Sequence, residues 1–208
     1  MDELPEFDRR VLESLREPLE SGTITLSRAG SRIELPAQFQ FIAAMNPCPC
    51  GYDGDERQQC RCPPARVRQY RQRISGPLLD RIDIRIRVLR VKARDWMSGG
   101  GERPAGIAEN TRQLAAQVQV ARQRRQRCSG SLSARLPVNE LQRCSALPDD
   151  ARALLHQCCE QLNLSGRGIH RLLAVARTIA DLADTDQINR DHLAEAIQLR
   201  RYCASDTM

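Results

Sequence analysis

Two close pairs of cysteines are the residues of this sequence whose type and spacing most directly predict chemistry. Cys48 and Cys50 form one Cys-x-Cys pair, Cys60 and Cys62 form the other, and we call residues 48–62 the Cys-rich loop. Four thiolates at this spacing can close a tetrahedral Zn²⁺ site and fix a loop that has no hydrophobic core of its own. Because Cys-x-Cys is tighter than the usual zinc knuckle, unligated thiols, an iron–sulfur cluster and disulfides are alternatives, the last disfavoured in a reducing cytosol.

Acidic, amide and guanidinium side chains mark four further places along the chain. Asp2 and Glu3 are adjacent carboxylates, and Asn46 ends an apolar run before a proline. Arg81 precedes a β pattern, and Arg167 stands at the start of a helical pattern. Taken singly, these residues are typical of a solvated helix cap, a turn asparagine, a surface arginine and a helix-terminal arginine. Their order along one chain is the stronger signal.

Positive charge is concentrated in one stretch of the sequence. The chain has 32 basic and 26 acidic residues, a net charge of +6. Residues 57–94 contain twelve Lys or Arg but only two Asp, so the rest of the chain is net acidic. A concentrated positive patch indicates a polyanion or a phosphate-rich interface, although genome composition also favours arginine. Aromatic residues make up only 3%, so any nucleic-acid binding is expected to rest on phosphate contacts and to weaken with salt.

Length and composition limit the class of protein. A chain of 208 residues with 41% hydrophobic and 28% charged residues suits one large or two small globular domains and excludes a fibre or a disulfide-stapled miniprotein. No apolar run is longer than that of 41–45, which is far below the ~20 residues of a membrane span, and the acidic start lacks the features of a secretory signal. We therefore expect a cytoplasmic protein without membrane association. The sole lysine, Lys92, follows no glycine-rich segment, so the sequence contains no P-loop.

The first part of the chain, residues 1–94, has the pattern of an α/β segment. Apolar residues four apart predict an amphipathic helix over 6–20. Alternating residues on both sides of a glycine predict a β-hairpin over 23–35. A short buried strand over 38–45 and a strand with one buried face over 82–88 are expected to follow. The predicted helix would bury Phe7, Val11, Leu15 and Leu19.

The second part of the chain, residues 107–208, has a helical texture and follows a glycine-rich linker over 95–106. The spacing of apolar residues predicts helices over 107–127, 149–162, 168–182 and 189–202. The third of these would bury one stripe, formed by Ile169, Leu172, Leu173, Ala176 and Ile179. The predicted fold class is therefore an α/β domain followed by an all-α domain.

Several motifs together resemble the Mg-chelatase-like branch of the AAA+ ATPases, and they extend over nearly the whole chain: DELPEF, AAMNPCPCG, ISGPLLDRIDI and VARTIADL. The resemblance implies part of an AAA+ P-loop NTPase core followed by a helical lid domain, with ATP and Mg²⁺ as cofactors. It implies that Asp2 and Glu3 end a Walker B motif, in which Asp2 organises Mg²⁺ and Glu3 polarises the attacking water. Asn46 would be the sensor 1 residue. Arg167 would be the nucleotide-binding sensor 2 residue, and Arg81 an arginine finger that acts on a neighbouring subunit's nucleotide.

These implied roles suit the side chains. Phosphoryl transfer leaves negative charge on the γ-phosphate oxygens, so catalysis depends on positioning and electrostatic stabilisation. Arginine offers a planar fork of permanently charged donors that matches phosphate. The family's P-loop, its preceding domain and the strand that carries its Walker B acids have no counterpart in the sequence. We therefore expect the C-terminal half of a larger protein, unable to hydrolyse ATP alone.

The predicted hairpin adds an expectation about nucleic acid. It lies between the implied Walker B and sensor 1 residues, where the related MCM helicases carry a pre-sensor hairpin that projects toward DNA. The resemblance makes Arg28 the first candidate and Arg32 the second candidate for DNA contact. A solvated hairpin tip is the alternative.

For the whole protein, the resemblance implies a hexameric helicase that acts on single-stranded or branched DNA and promotes branch migration in natural transformation. The main alternative is the ATPase motor subunit of a magnesium chelatase, which would act with protein partners. A third is a binding or assembly module without turnover. The cysteine pairs and the arginine-bearing hairpin favour the DNA motor over the chelatase.

Overall fold

The structure is a computed structural model that describes residues 1–28, 30–88, 90 and 111–201. It divides the chain into two units, Met1–Ile82 and Asp83–Met208. The regular structure of the described residues is mostly helical, with one sheet of two strands. The predicted linker over 95–106 lies outside the described residues, and the predicted domain limits stay predictions.

The first unit consists of short helices, one hairpin and long irregular segments. A 3-10 turn at Leu4–Glu6 precedes its regular elements, which are α1 (Arg9–Ser14), α2 (Arg16–Ser21), β1 (Thr23–Arg28), β2 (Ser31–Pro36), α3 (Pro64–Arg71) and α4 (Gly76–Leu79). The sequence did not predict α3 or α4. Both begin with proline in the first turn, where the missing N–H costs no intrahelical hydrogen bond.

The helix predicted over 6–20 is present as two helices, α1 and α2, which meet at Leu15. Pro18 explains the break, because its ring displaces the carbonyl four residues earlier, that of Ser14, where α1 ends. The prediction of its buried face is partly wrong, since Phe7 and Val11 are exposed. The core contains instead Leu4, Leu12, Ile74 and Leu78, with Leu15 and Leu19 packed against it.

The hairpin predicted over 23–35 is confirmed. Strands β1 and β2 pair antiparallel from Thr23 opposite Pro36 to Arg28 opposite Ser31. Gly30 lies in the turn with φ of 83°, a left-handed conformation that glycine adopts without steric cost. Both strands are largely exposed, so the hairpin projects from the core of its unit.

The other two predicted strands are wrong as strands. Residues 38–45 form no strand and are mostly exposed. Residues 82–88 also form no strand, and Ile84, Ile86 and Val88 are 51%, 66% and 81% exposed. An alternating strand needs a neighbouring strand for its backbone and a packed layer for its apolar face. Residues 42–44 have only the first residues of the chain hydrogen-bonded beside them, and no sheet of the described residues includes either segment. The predicted α/β layer is therefore reduced to the hairpin.

The second unit is helical. Its helices are α5 (Thr111–Ser129), α6 (Val138–Cys144), α7 (Asp149–Leu162), α8 (Gly166–Leu182) and α9 (Arg190–Arg201), with a 3-10 turn at Ser133–Arg135. They confirm the four predicted helices in the residues that the structure describes, whereas 107–110 and 202–208 lie outside them. The short helix α6 was not predicted.

Helix α8 lies at the centre of the second unit and contacts α5, α6 and α9. Its predicted stripe is confirmed, with Leu172, Leu173 and Ala176 buried and Ile169 and Ile179 half-buried at its edges. Small residues on α8 and α9, including Ala180 and Ala196, let the two helices approach closely. Of the helices described, none combines the length and the apolar character that crossing a bilayer requires.

Candidate functional site

The Cys-rich loop brings its four cysteines together, as predicted. The Sγ atom of Cys48 lies 3.3 Å from that of Cys50 and 3.6 Å from that of Cys60, and the Sγ atoms of Cys50 and Cys60 are 3.5 Å apart. Cys62 completes the group, and all four sulfur atoms lie within 4.8 Å of one another. Cys48 is buried and the other three are half-buried.

This sulfur group fits a tetrahedral metal site. Four thiolates bound to Zn²⁺ at ~2.3 Å would have their sulfur atoms ~3.8 Å apart. The three sulfur separations between Cys48, Cys50 and Cys60 are 3.3, 3.6 and 3.5 Å, close to that edge length. All four cysteines are free thiols rather than disulfides. The donor set therefore suits a thiophilic metal ion.

The thiols of the cluster have unequal acidities. The backbone at Tyr52, together with the thiol of Cys48, lowers the pKa of Cys50 to about 6. For Cys60 the backbone at Cys62 lowers the pKa, but burial and the thiols of Cys50 and Cys48 outweigh it and raise the value to about 12. The thiol of Cys50 therefore loses its proton at a lower pH than the thiol of Cys60. Such a difference is expected when neighbouring thiols share hydrogen-bond donors.

Arg71 on α3 anchors the Cys-rich loop to the helix that follows it. Its Nε donates to the carbonyl oxygen of Pro47 at 3.1 Å, and its Nη2 donates to the carboxylate of Asp53 at 2.6 Å. The sequence did not single out Arg71, because it is one of several arginines on the same helix. Gly51, with φ of 81°, makes the turn that returns the chain after Cys50.

The first residues of the chain run parallel to the segment that ends in Asn46. The terminal amine of Met1 donates to the carbonyl oxygen of Ile42 at 2.7 Å, and the N–H of Ala44 donates to that of Met1 at 2.9 Å. The N–H of Leu4 donates in turn to the carbonyl oxygen of Ala44 at 2.9 Å, which gives a third hydrogen bond between the two segments. The first two bonds follow the parallel pattern, and the third is shifted by one residue because Glu3 has a left-handed backbone. Asp2 and Glu3 therefore approach the same end of the pair as Asn46.

Glu3 has a strained backbone at this end. Its φ and ψ of 49° and 48° are left-handed, which is uncommon for a residue with a side chain. The carboxylate of Asp2 accepts a hydrogen bond from the N–H of Glu3 at 2.9 Å. Such strain is concentrated at functional sites, where the surrounding structure maintains it.

Tyr70 on α3 lies close to this end of the pair. Burial raises the pKa of Tyr70, and the carboxylates of Glu6 and Glu3 raise it further, while the adjacent backbone of Asn46 lowers it. Tyr70 thus places α3, and the Cys-rich loop anchored to it, next to the predicted nucleotide residues of the first unit.

Arg81 is held inside the first unit. Its Nε donates to the carbonyl oxygen of Arg16 at 3.1 Å, and its Nη1 donates to that of Pro77 at 2.7 Å. Its Nη2 forms an ion pair with the carboxylate of Glu20. The sequence did not predict this role for Glu20, which lies 61 residues away in the chain.

Arg167 is the site residue predicted in the second unit. It is exposed in the first turn of α8, where the hydroxyl of Ser165 caps the helix by accepting the N–H of Gly168 at 3.1 Å. The structure describes its unit separately from the first, so no distance relates Arg167 to Asp2, Glu3 or Asn46.

The two arginines predicted at the hairpin tip lie on opposite faces. In the antiparallel register Arg28 pairs with Ser31, while Arg32 pairs with Ser27. Arg28 shares its face with the exposed pairs Ile24–Leu35 and Leu26–Ile33, whereas Arg32 shares its face with Thr25 and Glu34. A straight ligand that lies along one face of the hairpin therefore cannot contact both arginines.

Comparison with known proteins gives two family matches and several relatives. Residues 1–96 match the family model of magnesium chelatase, subunit ChlI, and residues 108–200 match that of the ChlI C-terminal region. The competence protein ComM of Haemophilus influenzae is 41% identical over 203 residues, 96% of this chain. The YifB proteins of Salmonella typhimurium and Escherichia coli, described as uncharacterized, are 43% and 39% identical, each over 96% of this chain.

The chain spans 38% of the length of each of these three relatives. The two family matches occupy most of the sequence on both sides of the predicted linker. The relatives extend the same similarity through both units. The chain therefore belongs to the Mg-chelatase-like family of AAA+ proteins.

Proposed function

We propose that this chain contributes catalytic and DNA-binding elements to an ATP-driven DNA motor. The observation that carries the proposal is the parallel pairing of residues 1–4 with 42–44, which brings the carboxylates of Asp2 and Glu3 toward the end of the segment that carries Asn46. A metal-binding acid, a water-orienting acid and a polar amide at the same end of two paired segments are the groups that nucleotide hydrolysis requires. Similarity to a protein named for competence supports DNA as the substrate.

In this motor each residue has one task. Asp2 would hold Mg²⁺, which neutralises phosphate charge when nucleotide is bound. Glu3 would polarise and orient the attacking water, and the side-chain amide of Asn46 would fix that water or a γ-phosphate oxygen. Arg167 donates to the phosphates from the first turn of α8. The sequence contains no P-loop, so the phosphates would require a P-loop from a further segment.

Arg81 would act on the nucleotide of a neighbouring subunit, so the active assembly is a closed ring, which we propose to be a hexamer. In the structure its guanidinium is engaged by Glu20 and two carbonyl oxygens of its own unit. Action as an arginine finger therefore requires Arg81 to exchange the carboxylate of Glu20 for phosphate oxygens. Both ligands are anionic and accept the same donors, so the exchange conserves charge pairing.

The hairpin would contact single-stranded or branched DNA in this ring. Arg28 is the proposed contact, since it ends the strand at the hairpin tip and no acidic residue shares its face. Arg32 is the second candidate, and Glu34 on its own face reduces its attraction for phosphate. Branch migration in natural transformation, in the cytoplasm, is the proposed physiological role.

Zn²⁺ is the proposed occupant of the Cys-rich loop. Cys48, Cys50, Cys60 and Cys62 would be its four ligands, a closed set typical of a structural site rather than a catalytic one. The ion would fix residues 48–62 between Asn46 and α3. Its role would therefore be to support the neighbouring nucleotide residues.

ATP hydrolysis in a chimera tests the motor. The chimera joins the upstream part of the Haemophilus influenzae competence protein to this chain, and that relative itself is the positive control. We expect hydrolysis that rises when single-stranded or branched DNA is added. Arg81→Ala should reduce the rate at least ~10³-fold, because an arginine finger contributes that much to phosphoryl transfer.

Two controls make the result specific. Arg9→Ala removes an exposed arginine of the same unit and should leave the rate unchanged. The 208-residue chain without the added segment should hydrolyse no ATP. Full DNA-stimulated activity in Arg81→Ala would contradict the proposal, as would hydrolysis by the chain alone that disappears in Glu3→Gln.

The motor subunit of a magnesium chelatase is the second candidate. Both family models that match the chain are named for the ChlI subunit of magnesium chelatase, and this observation favours the chelatase motor. Such a motor would hydrolyse ATP with protein partners and would not respond to DNA. A DNA-independent rate in the chimera, with a DNA-dependent rate in the relative, would therefore favour the chelatase. A chain that binds DNA or other subunits while the chimera shows no turnover would indicate a binding or assembly module.

A further inference from the structure

An unbroken run of positive charge begins within the Cys-rich loop and continues through α3. Residues 57–73 contain six arginines and no Asp or Glu. From sequence alone all six are equivalent. The structure separates them into two groups by their partners.

Two of the six arginines are used within the first unit. Arg71 forms an ion pair with Asp53 at 2.6 Å, and Arg73 forms one with Glu6 at 2.9 Å. Arg71 also binds the carbonyl oxygen of Pro47 at 3.1 Å. These two side chains stabilise the loop and helix α3, and their charge is compensated.

The other four arginines are exposed and have no ion pair with a described residue. They are Arg57, Arg61, Arg66 and Arg68. Many arginines elsewhere in the described chain do have such partners, including Arg16, Arg124, Arg125, Arg152, Arg171 and Arg177. Four uncompensated guanidinium groups within twelve residues constitute the basic surface, and we use that name for Arg57, Arg61, Arg66 and Arg68.

The basic surface is built on a well-positioned backbone. Arg61 lies between Cys60 and Cys62, whose sulfur atoms belong to the four-cysteine cluster. Arg66 and Arg68 lie two positions apart on α3, which begins at Pro64, so they leave the helix on opposite sides and a flexible strand must bend around α3 to contact both. The backbone N–H of Arg57 donates to the carboxylate of Asp55 at 2.7 Å, which fixes the loop before it. A rigid support reduces the entropy lost when the side chains bind a ligand.

The basic surface has the composition of a nucleic-acid site rather than a protein interface. A stable protein interface needs an apolar centre, usually with aromatic or aliphatic anchors. Among residues 46–83, all of which the structure describes, no large apolar side chain is exposed. Tyr70 is buried and so offers no stacking platform. The basic surface presents positive charge, and the negatively charged phosphates of nucleic acid are ligands that match arginine.

We propose that the basic surface docks the phosphate backbone of DNA, independently of base sequence. This inference rests on the proposed function in taking DNA as the partner, and it assigns a second contact, apart from the hairpin. The four-cysteine cluster and Arg71 position the surface, while its exposed arginines make the contacts. Binding at this surface needs neither nucleotide nor a P-loop.

The test is binding of fluorescein-labelled oligothymidylate to the 208-residue chain, measured by fluorescence anisotropy over a salt titration. The variant is Arg66→Gln with Arg68→Gln, and the matched control is Arg9→Gln with Arg10→Gln, two exposed arginines of α1. Each lost phosphate contact lowers the salt slope by ~0.7 for single strands. The variant should thus lose ~1.4 in slope and bind ~25-fold more weakly at about 0.1 M salt. The control should match the unaltered chain.

Circular dichroism checks that each variant is folded, and Arg57→Gln with Arg61→Gln provides an independent variant in the loop. Equal affinity of the α3 variant and the control would overturn the inference, as would absence of oligothymidylate binding by the unaltered chain. A variant that loses binding of polyglutamate but retains oligothymidylate would also overturn it, in favour of an acidic protein partner. None of these outcomes alters DNA-stimulated hydrolysis in the chimera, so the proposed motor can stand or fail separately.

Discussion

At the scale of single residues, Asp181 on α8 holds the most heavily charged part of the second unit together. Its carboxylate accepts Nε and Nη2 of Arg125 on α5 at 2.8 and 2.7 Å. It also pairs with the fully buried Arg177 at 3.1 Å, one turn earlier on α8. The hydrogen bonds to Asp181 raise the pKa of Arg125, whereas burial lowers that of Arg177. One carboxylate thus compensates two buried guanidinium groups.

Replacing Asp181 by asparagine should destabilise the helical unit severely. Removing one partner of a buried ion pair leaves an uncompensated charge and costs ~3–5 kcal/mol. The measurement is the free energy of unfolding from a urea titration followed by far-UV circular dichroism. Asp149→Asn is the control, because that carboxylate is fully exposed in its pair with Arg152, so solvent screens the interaction and its loss should leave the stability nearly unchanged. Equal stability of the two variants would contradict the assigned role of Asp181.

The residues that sequence could predict are those whose partners lie close in the chain. The four cysteines lie within fifteen positions, so their spacing alone indicates a common site. Arg71 meets Asp53 across 18 positions and Arg81 meets Glu20 across 61, and no local pattern encodes either pairing. The same limit applies to the basic surface, since only the fold separates its four arginines from Arg71 and Arg73.

Among the elements, the four long helices of the second unit were predictable, whereas two predicted strands are absent and three short helices were missed. The spacing of apolar residues in α7 and α8 follows the buried face of each helix, so each helix can be predicted from its own residues alone. A strand depends on partners elsewhere in the chain. Residues 38–45 and 82–88 have the alternation or apolar content of strands, but no described sheet covers them. The hairpin was predicted correctly because its two strands and the turn between them are contiguous in the sequence.

The Cys-rich loop is the element whose order should depend on metal. Chain purified without chelator should contain about one zinc ion, since the four thiols form one closed site. Cys60→Ser should lose the ion and lower the melting temperature of the first unit, because loop residues 48–62 have no apolar core of their own. The measurements are inductively coupled plasma mass spectrometry and thermal unfolding.

Cys128→Ser is the matched control for this prediction. Cys128 is exposed on α5 and lies outside the four-cysteine cluster, so its loss should change neither zinc content nor melting temperature. Well under one zinc per chain, in protein never exposed to chelator, would count against the metal site and favour unligated thiols.

At the scale of the whole molecule, each unit presents an extended segment with exposed apolar side chains. Ile42 is 70% exposed in the first unit, and Ile86 and Val88 are 66% and 81% exposed in the second. Both segments have the composition of strands, and within the described residues neither belongs to a sheet. Exposed apolar side chains on a segment that lies outside a sheet favour association with another chain.

The chain should therefore self-associate as its concentration rises. The net charge of +6 opposes association, so added salt should strengthen it by screening that repulsion. Sedimentation velocity over a range of concentration and salt measures the effect. The double variant Ile42→Ser with Ile86→Ser should shift the distribution toward monomer. Val138→Ser should not, because this exposed apolar residue lies on helix α6 rather than on an extended segment. A monomer at every concentration and salt would show that these segments are satisfied within the chain itself, and the apolar alternation of residues 82–88 would then need another explanation.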